Sequence, residues 1–220
     1  MAPPHTHVIF DLDGTLVDTE PLYTEAAQRI LTRFGKAMDL GIKRQIMGGG
    51  PLSGARFVVE HLALPLSPEA YLAEREAWLR EACKTARPMP GAARLVEALY
   101  ARGVPLAIGT SSERDLCQIK LAAQPFGACF ASIACSDDAG VANAKPAPDI
   151  FLCAARGLGA DPARCLVFED TPKGVLAARA AGMDVIAVVD PSMANEDYTG
   201  ALRVLRSLEE LTLADIGFGA

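Results

Sequence analysis

The sequence predicts an α/β protein with a Rossmann-like parallel sheet core flanked by helices and a small all-helical cap inserted after the first strand. Two observations predict it. Short apolar runs, each followed at once by polar residues, alternate with helical patterns, as parallel strands joined by right-handed crossovers require. Between the first run and the second, residues from about 20 to 86 carry helical patterns and no convincing strand. With 220 residues, half of them apolar, the chain can build a substantial core in one or two domains.

The elements follow in order. Val8-Ile9-Phe10 reads as the first strand and stops at Asp11. Helical spacing then covers residues 23–34, 54–62 and 68–84. Residues 92–101 place Leu95, Val96, Leu99 and Tyr100 on one helical face, closed by Arg102-Gly103. The second strand, 104–108, runs into Gly109-Thr110-Ser111-Ser112, and the third, 165–168, runs into Glu169-Asp170. Thr171-Pro172 starts a helix reaching Gly182, with threonine as N-cap and proline at the first position. The fourth strand, 185–189, ends before Asp190. The expected division is a core of residues 1–18 and 87–220 and a cap of residues 19–86.

Composition excludes several function classes. The net charge is −6 with no block of like charge, so no nucleic-acid stripe is expected. An anionic substrate must then be held by local groups and a cation. The six cysteines form no C-x-x-C pair and mostly sit in apolar runs, which points to buried free thiols in a reducing compartment. The first residues lack a basic start and an apolar signal core, and no apolar stretch reaches membrane-spanning length. A soluble cytoplasmic protein with no membrane or nucleic-acid partner is expected; oligomeric state is left open.

Ligands of open parallel sheets bind at the carboxyl ends of the strands. There the sequence places Asp11 and Asp13 two residues apart before Gly14, the hydroxyls of Thr110 and Ser111, and the Glu169-Asp170 pair. Lys145 lies in Lys145-Pro146-Ala147-Pro148-Asp149, where two prolines fix the loop. Each signal alone has an ordinary reading. A D-x-D is usually a solvated turn, Thr-Ser-Ser a helix cap, an acidic pair a helix N-terminal charge, and a lone lysine a surface residue. His5 and His7 are expected in a mobile tail and His61 at the end of a cap helix, with no catalytic role. Gly48-Gly49-Gly50 lacks the Gly-Lys-Ser/Thr of a nucleotide-phosphate loop.

The string Asp11-Leu12-Asp13-Gly14-Thr15-Leu16-Val17-Asp18 resembles the signature of the haloacid dehalogenase-like hydrolase superfamily, and the later strand ends supply its other motifs in order. The resemblance spans nearly the whole chain and implies a phosphatase that works through an aspartyl-phosphate on Asp11. Asp13 would serve as acid and then base, a residue that favours phosphoryl transfer over dehalogenation. Mg²⁺ would be held by Asp11, the main-chain carbonyl of Asp13 and Asp170, with Glu169 a further ligand or, as favoured here, a supporting partner. Thr110, Ser111 and Lys145 would bind the phosphate. The chain is most similar to the small-cap group that includes pseudouridine-5′-phosphatase and sugar- or polyol-phosphate phosphatases, so the expected substrate is a small-molecule phosphate monoester. The alternative is a sugar phosphomutase similar to β-phosphoglucomutase. That enzyme carries a cap histidine and a cap-loop basic residue where Tyr23 and residues 48–51 stand here. A non-catalytic phosphate-binding protein is the third reading. Glu20 and the loop 47–51 are the candidates to face the leaving group.

Overall fold

The computed structural model describes residues 5–219. Strand β1 (His7–Phe10) lies at the middle of a parallel sheet ordered β5-β4-β1-β6-β7-β8, with β4 at Leu106–Gly109, β5 at Ser132–Ala134, β6 at Cys165–Glu169, β7 at Asp184–Val188 and β8 at Arg203–Leu205. From β1 the chain adds β4 and β5 on one side, then crosses back to place β6 on the other. The crevice at the carboxyl end of β1 is therefore the sheet's topological switch point.

Val8, Ile9 and Phe10 are wholly buried because both sheet faces are covered, which is why this strand reads as a continuous apolar run. On one face Phe10 stacks on Phe168 with ring centroids 5.0 Å apart, against Leu95, Val96 and Leu99 of α5 (Ala92–Ala101). On the other, Ile9 and Val167 meet Phe151 and Ala154 of α7 (Asp149–Leu158) and Val175 and Ala178 of α8 (Pro172–Ala180). A buried side chain of this size contributes about 1.5–3 kcal/mol. Helix α6 (Arg114–Ala122) follows β4. Thr171 caps α8 as its sequence indicates, its hydroxyl accepting from Gly174 N at 3.1 Å.

A two-stranded antiparallel ribbon, β2 (Val17–Asp18) and β3 (Arg87–Pro88), marks where the chain leaves the sheet and returns. Between them lie only helices: α1 (Glu20–Thr32), α2 (Leu40–Ile46), α3 (Pro51–His61) and α4 (Pro68–Ala82), with a short 3-10 turn after α4. They share their own apolar cluster of Ile30, Leu31, Ile42, Val58 and Tyr71 with smaller neighbours.

Several sequence expectations are corrected. Helix α2 was not anticipated; it is short and glycine-containing, and Asp39 caps it by accepting from Ile42 N at 2.8 Å. Strands β5 and β8 leave no apolar run in the sequence, because each is short and buries fully only one residue, Ala134 and Leu205. The second strand begins at Leu106, not at 104. His5 and His7 do not sit in a mobile tail: His7 opens β1, and His5 Nε2 lies 2.9 Å from Asp184 Oδ2. All six cysteines are unpaired, four of them buried. Among the described residues no helix is long and apolar enough to cross a membrane.

Candidate active site

The end of β1 sets the first carboxylate. Asp11 N donates to Phe168 O at 2.9 Å, carrying strand pairing one residue past β1 and holding Asp11 beside the end of β6. Gly14 has φ +78°, and a Cβ there would lie 2.3 Å from Asp170 Oδ2, so only glycine lets this turn approach the second acid. Thr15 Oγ1 faces Asp170 Oδ1 at 3.5 Å, and Tyr198 donates to the Asp170 carbonyl at 3.0 Å.

Lys145, almost entirely buried, donates to Asp11 Oδ1 at 2.5 Å and Glu169 Oε1 at 2.6 Å. Its ammonium lies 4.8 Å from the centroid of the Phe151 ring. The loop that presents it is tied by Asp149, which accepts from the main-chain N of Ala142 and Asn143 at 3.0 and 2.9 Å. Glu169 Oε2 accepts from Thr171 N at 2.6 Å and Thr171 Oγ1 at 3.0 Å. Both oxygens of Glu169 are thus engaged in orienting Lys145 and the start of α8.

Asp11, Glu169 and Asp170 are buried and bring one carboxylate oxygen each within 4.8 Å of one another. Burial, with Glu169 and Asp13 adding, pushes Asp11 up to about 7 although Lys145 opposes. Burial, then the charges of Glu169 and Asp11, raises Asp170 well above the carboxylate range. One lysine against three carboxylates leaves an excess of negative charge in a site of oxygen donors only. That donor set fits a hard divalent cation.

Asp13 points elsewhere. Its Oδ1 accepts from Lys120 Nζ at 2.5 Å and Thr19 Oγ1 at 2.6 Å, and its Oδ2 accepts from Ser112 Oγ at 2.8 Å. Lys120, wholly buried, also donates to Ser112 Oγ at 2.7 Å and Tyr23 OH at 3.0 Å. Burial alone would raise Asp13, but the Lys120 ammonium and these hydrogen bonds outweigh it and hold the carboxyl below its ordinary range. Sequence reasoning missed Lys120, Ser112 and Thr19. The available signal was a lysine inside the apolar stripe Leu116, Cys117, Leu121 of α6.

A cavity of about 140 Å³ opens from this centre into the helical insertion. Thr110, Ser111, Glu20 and the loop 47–51 all line it, as does Tyr23. The Thr110 hydroxyl is turned inward and accepts from Ser112 N at 3.1 Å. Gly48 has φ +67° and lies against Thr171, where a Cβ would sit 2.5 Å from Oγ1. Residues 48–51 carry no basic side chain, but the structure brings Lys43 of α2 and Arg75 of α4 into the cavity wall, which the sequence did not reveal.

A parallel sheet whose switch point gathers an aspartate, a buried lysine and an acidic pair is the framework of a phosphoric monoester hydrolase. The chain belongs to the haloacid dehalogenase-like hydrolase family, which matches residues 5–182. It is 43% identical over 219 residues to a probable pseudouridine-5′-phosphatase of Drosophila melanogaster, covering 98% of this chain and 95% of that protein. It is 40% identical over 209 residues to (DL)-glycerol-3-phosphatase 2 of Arabidopsis thaliana, covering 92% and 87% respectively. Among solved structures, CbbY from Rhodobacter sphaeroides in complex with phosphate superposes with a TM-score of 0.84 at 27% identity, covering 96% of this chain and 99% of that one.

Proposed function

We propose that this chain is a Mg²⁺-dependent phosphatase of small-molecule phosphate monoesters, acting through an aspartyl-phosphate on Asp11. The observation that carries the reading is the convergence of Asp11, Lys145 and Asp170 at the end of β1, with Asp11 and Asp170 lining one cavity. The Asp11 carboxylate attacks phosphorus, the bond to the leaving oxygen breaks, and Asp13 gives that oxygen a proton. Asp13 then takes a proton from the water that cleaves the acyl phosphate, restoring Asp11 and releasing phosphate. To act in this way Asp13 leaves the hold of Lys120, Thr19 and Ser112 and carries, as the carboxylic acid, the proton taken from water in the preceding turnover.

Lys145 offsets charge on the phosphoryl oxygens, and Thr110 and Ser111 bind them. Glu169 keeps Lys145 in place. Asp11, the Asp13 carbonyl and Asp170 would hold Mg²⁺, which when bound neutralises the phosphoryl group and the nucleophile against each other. Residues 19–86 form a cap on a core of residues 1–18 and 87–220; closing over the cavity excludes water, and Glu20 and the loop 47–51 face the leaving group. Six unpaired cysteines support a cytoplasmic location. The phosphomutase reading expects a histidine where Tyr23 stands; a phenol pushed up to about 12 by burial does not replace an imidazole, which disfavours that reading.

The test is release of phosphate from an aryl phosphate, with Mg²⁺ or a chelator, by the wild type and Asp11→Asn. Turnover that disappears with either change supports the reading. Turnover that survives Asp11→Asn overturns it.

A further inference from the structure

The peptide between Asp170 and Thr171 joins β6 to α8, and side chains hold it from both edges. Its N–H, on Thr171, donates to Glu169 Oε2 at 2.6 Å, and the other oxygen of that carboxylate orients Lys145. Its carbonyl, on Asp170, accepts from Tyr198 OH at 3.0 Å. A peptide unit is a rigid plane, so bonds at its two opposite edges fix its rotation. They thereby fix the backbone on which the Asp170 side chain stands. That side chain has little room to adjust, because a Cβ on Gly14 would fall 2.3 Å from Asp170 Oδ2.

Tyr198 comes from the segment between β7 and β8, outside the strand ends that supply the acids. Val189 N donates to Leu205 O and Leu202 N to Val185 O, both at 2.8 Å, which anchors the segment at its two ends. Within it, Glu196 pairs with Arg44 of α2 at 3.0 Å. Tyr198 is buried in the same cluster as Val189 and Met193. Phenylalanine would meet the packing there equally well; what the hydroxyl adds is the bond to Asp170. A buried carbonyl that loses its donor is disfavoured, so the phenol selects one orientation of the peptide.

We propose that Tyr198 is a positioning residue for Mg²⁺: by holding the Asp170 carbonyl it sets the Asp170 carboxylate for the cation. The inference rests on the reading above, in which Asp170 is a ligand, and adds a residue that touches neither cation nor substrate. Removing a group that orients a metal ligand by a hydrogen bond weakens metal binding by about 10–100-fold. Tyr198 acts on the main chain of the ligand and not on its carboxylate, so the lower end, roughly tenfold, is expected.

The experiment titrates Mg²⁺ into the full chain by calorimetry for the wild type, Tyr198→Phe and Met193→Ala, and follows aryl phosphate turnover at varied Mg²⁺. Tyr198→Phe keeps the ring and deletes the hydroxyl. Its Mg²⁺ dissociation constant should rise roughly tenfold, and the Mg²⁺ needed for half-maximal turnover by the same factor, while kcat at saturating Mg²⁺ stays close to that of the wild type. Met193→Ala removes packing from the same buried cluster and keeps the hydrogen bond. It should lower the thermal midpoint and leave the Mg²⁺ constant where it was. An unchanged constant in Tyr198→Phe, or an equal weakening in Met193→Ala, overturns the inference and leaves the phosphatase reading standing. No Mg²⁺ binding by the wild type overturns both, since Asp170 then holds no cation.

Discussion

Replacing Lys120 by methionine keeps the length and apolar bulk of the side chain and deletes its charge. In the wild type that ammonium makes three hydrogen bonds in a wholly buried position, to Asp13, Ser112 and Tyr23. Breaking a buried pair from one side costs about 3–5 kcal/mol, because the remaining charge is left uncompensated. Asp13's side chain is 25% exposed toward the cavity and keeps Thr19 and Ser112 as donors, so we expect the lower end, about 3 kcal/mol. With a urea slope of about 2–3 kcal/mol/M, the unfolding midpoint should fall by about 1 M at neutral pH. The loss depends on pH. Asp13 is held below the ordinary carboxylate range, so its contribution is present above about pH 4 and lost as acid carries the solution through the folded-state value. For Lys120, burial is outweighed by Asp13 and Tyr23, which raise it; its contribution is present below about pH 10 and lost at higher pH. The gap between variant and wild type should therefore be widest between these limits and shrink in acid. A midpoint unchanged at neutral pH, or a gap that persists undiminished in strong acid, would refute the reasoning.

Two further outcomes are expected. Asp11 is pushed up to about 7, so between the unfolded carboxylate value near pH 4 and pH 7 the folded, metal-free protein binds the extra proton and loses stability as pH rises; Mg²⁺ should accordingly raise the thermal midpoint more at pH 8 than at pH 5, and equal increments would contradict the assignment of Asp11 as a ligand. Gly174→Ala should damage the enzyme although alanine favours a helix by up to about 1 kcal/mol, because a Cβ there would lie 1.8 Å from Glu169 Cδ and displace the carboxylate that orients Lys145. A variant with wild-type kcat would show that Glu169 is not needed in that place.

What the sequence displayed depends on where each residue's partners lie. Asp11, Asp13, Thr110, Glu169 and Asp170 stand at the ends of apolar runs, and strand ends converge by topology, so residues far apart in the chain could be assigned to one crevice. Lys120 and Arg75 stand instead within helices. Arg75 lies between Tyr71 and Leu79 on the buried stripe of α4, and Lys120 beside Leu116, Cys117 and Leu121 on that of α6. A long cationic side chain at a stripe position reads as an interruption of the apolar pattern, and its partner cannot be named until the helices are packed. Lys145 was legible through its resemblance to the family's Lys-Pro-x-Pro-Asp segment and the two prolines that fix the loop; the tie of Asp149 to Ala142 N and Asn143 N belongs to the folded loop.

Helix α1 ties the two ends of the cavity together. Thr19, one residue before the helix, donates to Asp13, while Glu20, Tyr23, Thr24 and Ala27 line the cavity from positions three, four and seven residues apart. That spacing is one face of a helix. Tyr23 on this face accepts from Lys120, which in turn holds Asp13. Helix α1 is thus in hydrogen-bonded contact with Asp13, the residue proposed to protonate the leaving group, through Tyr23 and Lys120. A displacement of α1 that carried Thr19 with it would strip Asp13 of one of its three donors. Under the proposed function, movement of α1 and release of Asp13 are therefore linked by geometry, so that residues of the helical insertion with no contact to phosphorus can affect kcat as well as KM.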